Sequence, residues 1–106
     1  MWASAYIQKL QNGESVSFRP RGNSMQPRIN SGALVTVDPL DAAGKAALAK
    51  GDVVLCKVKG AQYLHLICAI RQETNGLRFQ IGNNRGGING WIGPEAIYGR
   101  LVMVRP

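Results

Sequence analysis

Two side chains of this sequence have the type and setting for nucleophilic catalysis: Ser24, and His65, the single histidine of the chain. Ser24 lies in Arg21-Gly22-Asn23-Ser24-Met25-Gln26-Pro27-Arg28-Ile29-Asn30-Ser31-Gly32, a turn-rich segment between the alternating run Val16-Ser17-Phe18 and the apolar run 33–37. A serine held between a flexible glycine and a proline, where one strand ends and another begins, presents its hydroxyl on a rim. It becomes a nucleophile when a base reaches it. The competing reading is a loop serine that caps a turn through its own local hydrogen bonds. His65 stands in the apolar run 62–71, where a lone histidine is either a core or boundary residue or a base. An imidazole with an ordinary pKa of about 6.5, lowered further by burial, is neutral at pH 7 and can accept the serine proton. Lys57 and Lys59 are the rival bases. They stand at the mouth of a hairpin, where their side chains are solvated, and a lysine needs a much larger shift to do the same work.

Two familiar serine motifs do not fit. Gln26 occupies the place of the second glycine in a Gly-x-Ser-x-Gly elbow, and 106 residues are too few for the fold that carries it. Pro27 occupies the lysine position of a Ser-x-x-Lys site.

The elements that must position these residues are mostly strands. Ala3, Ile7 and Leu10 recur at helical spacing and Asn12-Gly13 stops the pattern, which predicts one short amphipathic helix at the start. Residues 15–19 alternate as a half-buried strand with Val16 and Phe18 inward, and Pro20 ends it. After the strand 33–37, Asp38-Pro39 opens an alanine-rich stretch that fits a short helix or an irregular loop. Gly51-Asp52 leads into 53–59, Gly60-Ala61 reads as a tight turn, and 62–71 returns, the clearest hairpin of the chain. On the return strand Tyr63, His65, Ile67 and Ala69 share one face, and Leu64, Leu66, Cys68 and Ile70 the other. A two-residue turn at Gly60-Ala61 sets His65 opposite Cys56, which raises a thiol–imidazole site as an alternative to a core Cys56. Thr74-Asn75-Gly76 turns the chain into 77–81, a loop rich in glycine and asparagine spans 82–90, Pro94-Glu95-Ala96 fits a single helical turn, and 98–104 forms a last strand.

A chain of 106 residues reads as a single small domain over residues 1–106 with one core. No apolar run reaches the ~18 residues of a membrane span, and the first ten residues lack the order of a secretory signal, so the expectation is a soluble, cytoplasmic protein without a membrane partner. Cys56 and Cys68 lie in apolar runs and read as free thiols. With one histidine no nitrogen and sulfur ligand set can be built, so neither a metal nor another cofactor is expected. The net charge of +7, from 13 Lys and Arg against 6 Asp and Glu, favours an acidic protein or nucleic acid, or serves solubility alone. Arg19, Arg21 and Arg28 bracket Ser24, and with Arg85 they form a candidate binding surface.

The block Gly22-Asn23-Ser24-Met25-Gln26-Pro27, with Gly32 and Ala33-Leu34-Val35-Thr36-Val37 after it, resembles the superfamily shared by LexA-type self-cleaving repressors, UmuD-like proteins and type I signal peptidases. The resemblance continues through Gly51-Asp52-Val53-Val54-Leu55, Tyr63-Leu64-His65-Leu66-Ile67, and Ile81-Gly82-Asn83-Asn84 to Ile97-Tyr98-Gly99-Arg100-Leu101-Val102, and covers roughly residues 16–104. It implies a mainly β fold, a single antiparallel curled sheet or partly open barrel of the LexA C-terminal and signal-peptidase type with a short N-terminal helix. It also implies Ser24 as nucleophile and a base on the strand of His65, where most of the superfamily has lysine and the endoplasmic-reticulum type of signal peptidase has histidine. Met25 belongs to the nucleophile block.

The sequence departs from that pattern behind the base. Histidine-type relatives have an acidic Gly-Asp-Asn block and a further aspartate, whereas this chain has Gly82-Asn83-Asn84 and Ile88-Asn89-Gly90. Asn83 and Asn89 can hold the imidazole by hydrogen bonds without stabilising its charge, and an Asp-to-Asn change of this kind costs a well-studied triad about 10⁴ in turnover. No Ala-Gly or Cys-Gly bond precedes Ser24, and no helix-turn-helix segment precedes the fold, so self-cleavage and repressor roles are not expected. Two readings follow. One is a slow or specialised serine endopeptidase with a Ser24–His65 dyad, an oxyanion hole from the Ser24 N–H and the Asn23 side chain, and a peptide or protein substrate laid along a sheet edge. The other is a catalytically inactive binding module of the same fold that uses its arginines.

Overall fold

Seven strands in the order β1-β2-β7-β3-β4-β5-β6, every neighbouring pair antiparallel, make one open sheet in the computed structural model, which describes all residues 1–106. The strands are β1 Val16–Phe18, β2 Leu34–Pro39, β3 Val53–Val58, β4 Ala61–Glu73, β5 Gly76–Gly82, β6 Ile88–Ile92 and β7 Ile97–Arg105. Helix α1 spans Ser4–Gln11, the alanine-rich stretch resolves into a short α2, Ala42–Ala46, and Pro94–Ala96 is a 3₁₀ turn. Asp41 starts α2 by accepting a bond from the Gly44 N–H at 2.7 Å, the arrangement expected of an N-capping aspartate. No helix is long and apolar enough to cross a membrane.

The central strand β3 buries both of its faces. Val53 and Leu55 join a cluster with α1, β1, β2 and the segment that carries Ser24, while Val54, Cys56 and Val58 join a second cluster with β4, β5, β6 and Ile97. Near-continuous apolar character over 53–56 is what a strand with no solvent face requires. Helix α1 covers the first cluster with Ile7 and Leu10, joined by Ala3 just before its first turn, the three residues at helical spacing.

Two local features differ from the expected pattern. The hairpin turn is Lys59-Gly60, with Val58 opposite Ala61, because both central residues take positive φ (51° and 83°), the geometry that suits the twist of a two-residue hairpin. His65 therefore pairs with Val54, and Cys56 with Tyr63. The second is a bulge in β4 at Cys68, between the pairs Ile67↔Ile81 and Ala69↔Gln80. The extra residue breaks the alternation, so Ile70 packs in the second cluster with Tyr63 and Ile67 rather than on the face of Leu64 and Leu66.

Candidate active site

The segment that carries Ser24 leaves β1 and returns to β2 as a closed loop. Its neck is fastened by the Gly32 N–H donating to the Pro20 carbonyl at 2.8 Å and the Gly22 N–H donating to Ser31 Oγ at 3.1 Å. Gly22 (φ 114°) and Gly32 (φ 82°) hold conformations that side chains rarely adopt. Met25 and Ile29 turn inward and are buried in the first cluster, one turn apart and joined by the Ile29 N–H to Met25 carbonyl bond at 2.9 Å. Met25 thus anchors the loop in the core, and Ser24, beside it, is left half-buried on the rim.

A linear hydrogen-bonded chain runs from the rim into the sheet. Ser24 Oγ is 3.0 Å from His65 Nε2, and His65 Nδ1 is 2.7 Å from Asn89 Oδ1. The amide oxygen of Asn89 can only accept, so Nδ1 carries the proton and Nε2 is left with its lone pair toward the serine hydroxyl. This is the tautomer a general base needs. His65 is 7% exposed as a residue, and its ring lies against Tyr63, with ring centroids 4.8 Å apart. Burial pulls the His65 pKa below its ordinary value, and the bond to Asn89 offsets only part of that. His65 is consequently neutral at pH 7.

The segment 83–89 sets both ends of this chain. Asn84 donates its N–H to the Ser24 carbonyl at 2.9 Å and its side-chain amide to the Gln26 carbonyl at 3.0 Å, while Asn89, five residues on, holds the histidine. Asn83 has a different task from the one expected. Its Oδ1 accepts from the N–H groups of Arg85 and Gly87, both at 2.9 Å, so it braces its own loop and makes no bond to His65. The Ser24 N–H makes no hydrogen bond within the chain, which leaves it free as a donor beside the Ser24 hydroxyl. Asn23 is exposed, and its carbonyl accepts from the Gln26 N–H at 3.2 Å.

Ser24 and His65 line a cleft of about 700 Å³. One wall is the run from Phe18 to Gly22 with Ser24 and Met25, the other is β4 from Gln62 to His65, and Trp2 and Tyr6 also line it; Asn23 does not. No protein-family model matches the chain, and no curated protein matches it.

Arg19 and Arg21 line the cleft, whereas Arg28 and Arg85 are exposed outside its lining. Lys57 and Lys59 are exposed at the turn end of the hairpin, and it is His65 that meets the serine hydroxyl. Cys56 is fully buried in the second cluster, where burial pushes its thiol up to about 12, and its cross-strand partner is Tyr63. Such a thiol is inert, and the Cys56–His65 alternative falls.

Two contributors were not legible as such in the sequence. Asn84 acts on backbone carbonyls, and only the path of two loops brings it there. Gln62, in the core at 7% exposure, ties α1 to the cleft wall: its side chain accepts from the Ala3 N–H at 2.8 Å and donates to Ser4 Oγ at 3.1 Å, and its carbonyl accepts from the Trp2 indole at 3.0 Å. A polar residue at the start of an otherwise apolar strand was the only signal.

Proposed function

We propose that this chain is a serine endopeptidase-like hydrolase of the LexA and signal-peptidase type, in which Ser24 attacks a peptide carbonyl and His65 serves as general base. The observation that carries this reading is the chain Ser24 Oγ–His65 Nε2 and His65 Nδ1–Asn89 Oδ1 at 3.0 and 2.7 Å, with the histidine in its neutral state. The four sequence blocks that resemble the superfamily support it, as does an antiparallel open sheet with a helix at its start.

In the first step Ser24 Oγ bonds to the carbonyl carbon while its proton moves to His65 Nε2. The oxygen that gains negative charge is met by the free Ser24 N–H, while the exposed Asn23 side chain lies outside the cleft lining. Collapse breaks the carbon–nitrogen bond, His65 returns the proton to the leaving nitrogen, and an acyl-serine remains. A water then gives its proton to His65 Nε2 as its oxygen bonds to the acyl carbon; the carbon–Oγ bond breaks, Nε2 returns the proton to Ser24 Oγ, and the acid is released. Asn89 accepts from Nδ1–H throughout, but a neutral amide stabilises the imidazolium far less than a carboxylate does. Turnover is slow for that reason.

An extended substrate is favoured by the open edge of β4. Its pairing with β5 begins at Leu66, so residues 61–65 pair with β3 alone. Ile67 exchanges bonds with Gly51 and Asp52 on the β3 side, and Gln62 directs its carbonyl to Trp2 on the other. By alternation Leu64 presents its N–H and C=O to the cleft, ready to pair with a peptide strand.

The test is labelling by a fluorophosphonate, read by intact mass across pH 5 to 9. A single adduct on Ser24, rising with pH through a midpoint below about 6.5 and lost in Ser24→Ala and His65→Ala, is the expected result. A folded protein that stays unlabelled at every pH overturns it.

The second reading, an inactive binding module, is favoured by the charge distribution. The chain has 13 cationic side chains and a single ion pair, Arg71–Glu73. Its expected signature is association with a polyanion that weakens steeply between roughly 50 and 200 mM salt.

A further inference from the structure

The cleft beside the dyad is amphiphilic and one-signed. Its lining includes no aspartate or glutamate, while Arg19 and Arg21 both face it. Arg19 commits one guanidinium nitrogen to the Gly32 carbonyl at 2.9 Å, and the Arg21 side chain makes no hydrogen bond or ion pair within the chain. At the end away from Ser24 the surface is aromatic. Tyr6 and Phe18 stack at 4.3 Å between centroids, and Trp2 stands edge-on to both at 6.4 and 5.8 Å. Trp2 is 49% exposed, so it offers apolar surface that nothing in the chain covers.

The distance between the two ends is fixed by β4. Trp2 is tied to the carbonyl of Gln62 and the dyad to His65, three residues further on. At about 3.3 Å per residue that is roughly 10 Å, or three residues of an extended peptide lying alongside. The indole also occupies the one strand carbonyl that follows Leu64 outward, so the available edge ends there and a bound chain meets the aromatic wall.

We propose that the cleft selects a peptide with a bulky apolar side chain about three residues from the reacting bond and an acidic side chain between them, the first held by Trp2 and Tyr6 and the second by Arg21 with Arg19. The assignment of the reacting bond rests on the peptidase reading, but the selectivity itself is a property of binding. A bulky apolar group covers exposed aromatic surface, and a carboxylate satisfies a guanidinium that has no partner of its own. A lysine at the same place meets two like charges with nothing to offset them.

The test separates binding from turnover. Three fluorescein-labelled peptides of about seven residues, one with Phe and Glu, one with Lys for the Glu and one with Ser for the Phe, are titrated by anisotropy into Ser24→Ala protein at about 50 mM salt. The Phe–Glu peptide should bind roughly five- to tenfold tighter than the Lys peptide, the gain of one partly exposed charge pair. That preference should disappear in Ser24→Ala carrying Arg21→Gln, and the Ser peptide should bind more weakly in the parent but not in a Trp2→Ala version. Equal affinity for all three, or saturable binding of none, overturns the proposal. Hydrolysis of the same peptides by wild-type protein is followed separately by mass spectrometry: preference without cleavage counts against the peptidase reading alone, and cleavage without preference against the selectivity alone.

Discussion

Asn89 gives His65 an acceptor of the right geometry and the wrong charge. Changing it to aspartate keeps an acceptor oxygen for Nδ1, where Asn89 now stands at 2.7 Å, and adds a formal negative charge beside the buried His65. On the proposed mechanism the imidazolium formed during attack then has a counter-charge, so Asn89→Asp should speed fluorophosphonate labelling at pH 8 by at least about tenfold, with an upper bound near the 10⁴ that the reverse change costs elsewhere. It should also move the pH midpoint of labelling upward, because a neighbouring anion favours the protonated ring. Faster labelling with an unmoved midpoint would deny the electrostatic explanation. The same ring makes a stability prediction. Its pKa is lowered in the folded state by burial, so below about 6.5 the unfolded chain binds its proton first. Stability therefore falls as pH drops from about 6.5 through the folded-state value, and levels beyond it. Urea unfolding at about pH 7.5 and pH 5.5 should show a loss in wild type that is smaller in His65→Gln.

At the scale of elements, the segment between β5 and β6 is the frame on which the dyad is assembled. Asn84→Ala removes one side-chain bond to the Gln26 carbonyl and loosens the hold on Ser24. As the bond is exposed, the expected change is a Tm within a few degrees of wild type and labelling slower by roughly tenfold. A fall in Tm with unchanged labelling would make Asn84 structural only. Gly82, at the head of that segment, has no room for a side chain: an added Cβ would lie 2.5 Å from the Gly87 carbonyl and 2.8 Å from Cys68 Sγ. Gly82→Ala should cost about 1–3 kcal/mol in urea unfolding and broaden the bulge at Cys68. These contacts mark the limit of what the sequence discloses. The β3–β4 hairpin and the short α1 follow from alternation and helical spacing, and Ser24, His65 and Asn89, which residue type and resemblance single out, lie in one hydrogen-bonded chain. The bulge at Cys68 does not, because an inserted residue leaves no trace in an apolar run. The true turn at Lys59-Gly60 was hidden by a neighbouring Gly-Ala of equal plausibility. The slip preserved the parity of the strand, so His65 kept its face even though its partner changed from Cys56 to Val54.

For the whole molecule the governing quantity is charge. Two buried clusters share β3, with Leu55 in one and Val54 in the other, so the fold has a common spine and should unfold in one transition. Around it stand 13 cations and 6 anions that form a single ion pair, with Arg71 directly opposite Arg78 across β4 and β5. Arg71 is partly accommodated by the face of Trp91, 4.5 Å from the ring centroid, and by Glu73 at 2.8 Å. The rest of the surface repels itself. Raising NaCl from about 10 to 150 mM shortens the Debye length from about 30 to 8 Å and should therefore raise Tm, where a protein held by exposed ion pairs would lose stability. Arg78→Gln should raise Tm at low salt and reduce its salt dependence, since it removes one member of the cross-strand like-charge pair. A Tm that falls with salt would mean that attraction outweighs repulsion across the surface, and the unpaired arginines would then lose their standing as sites kept free for an acidic partner.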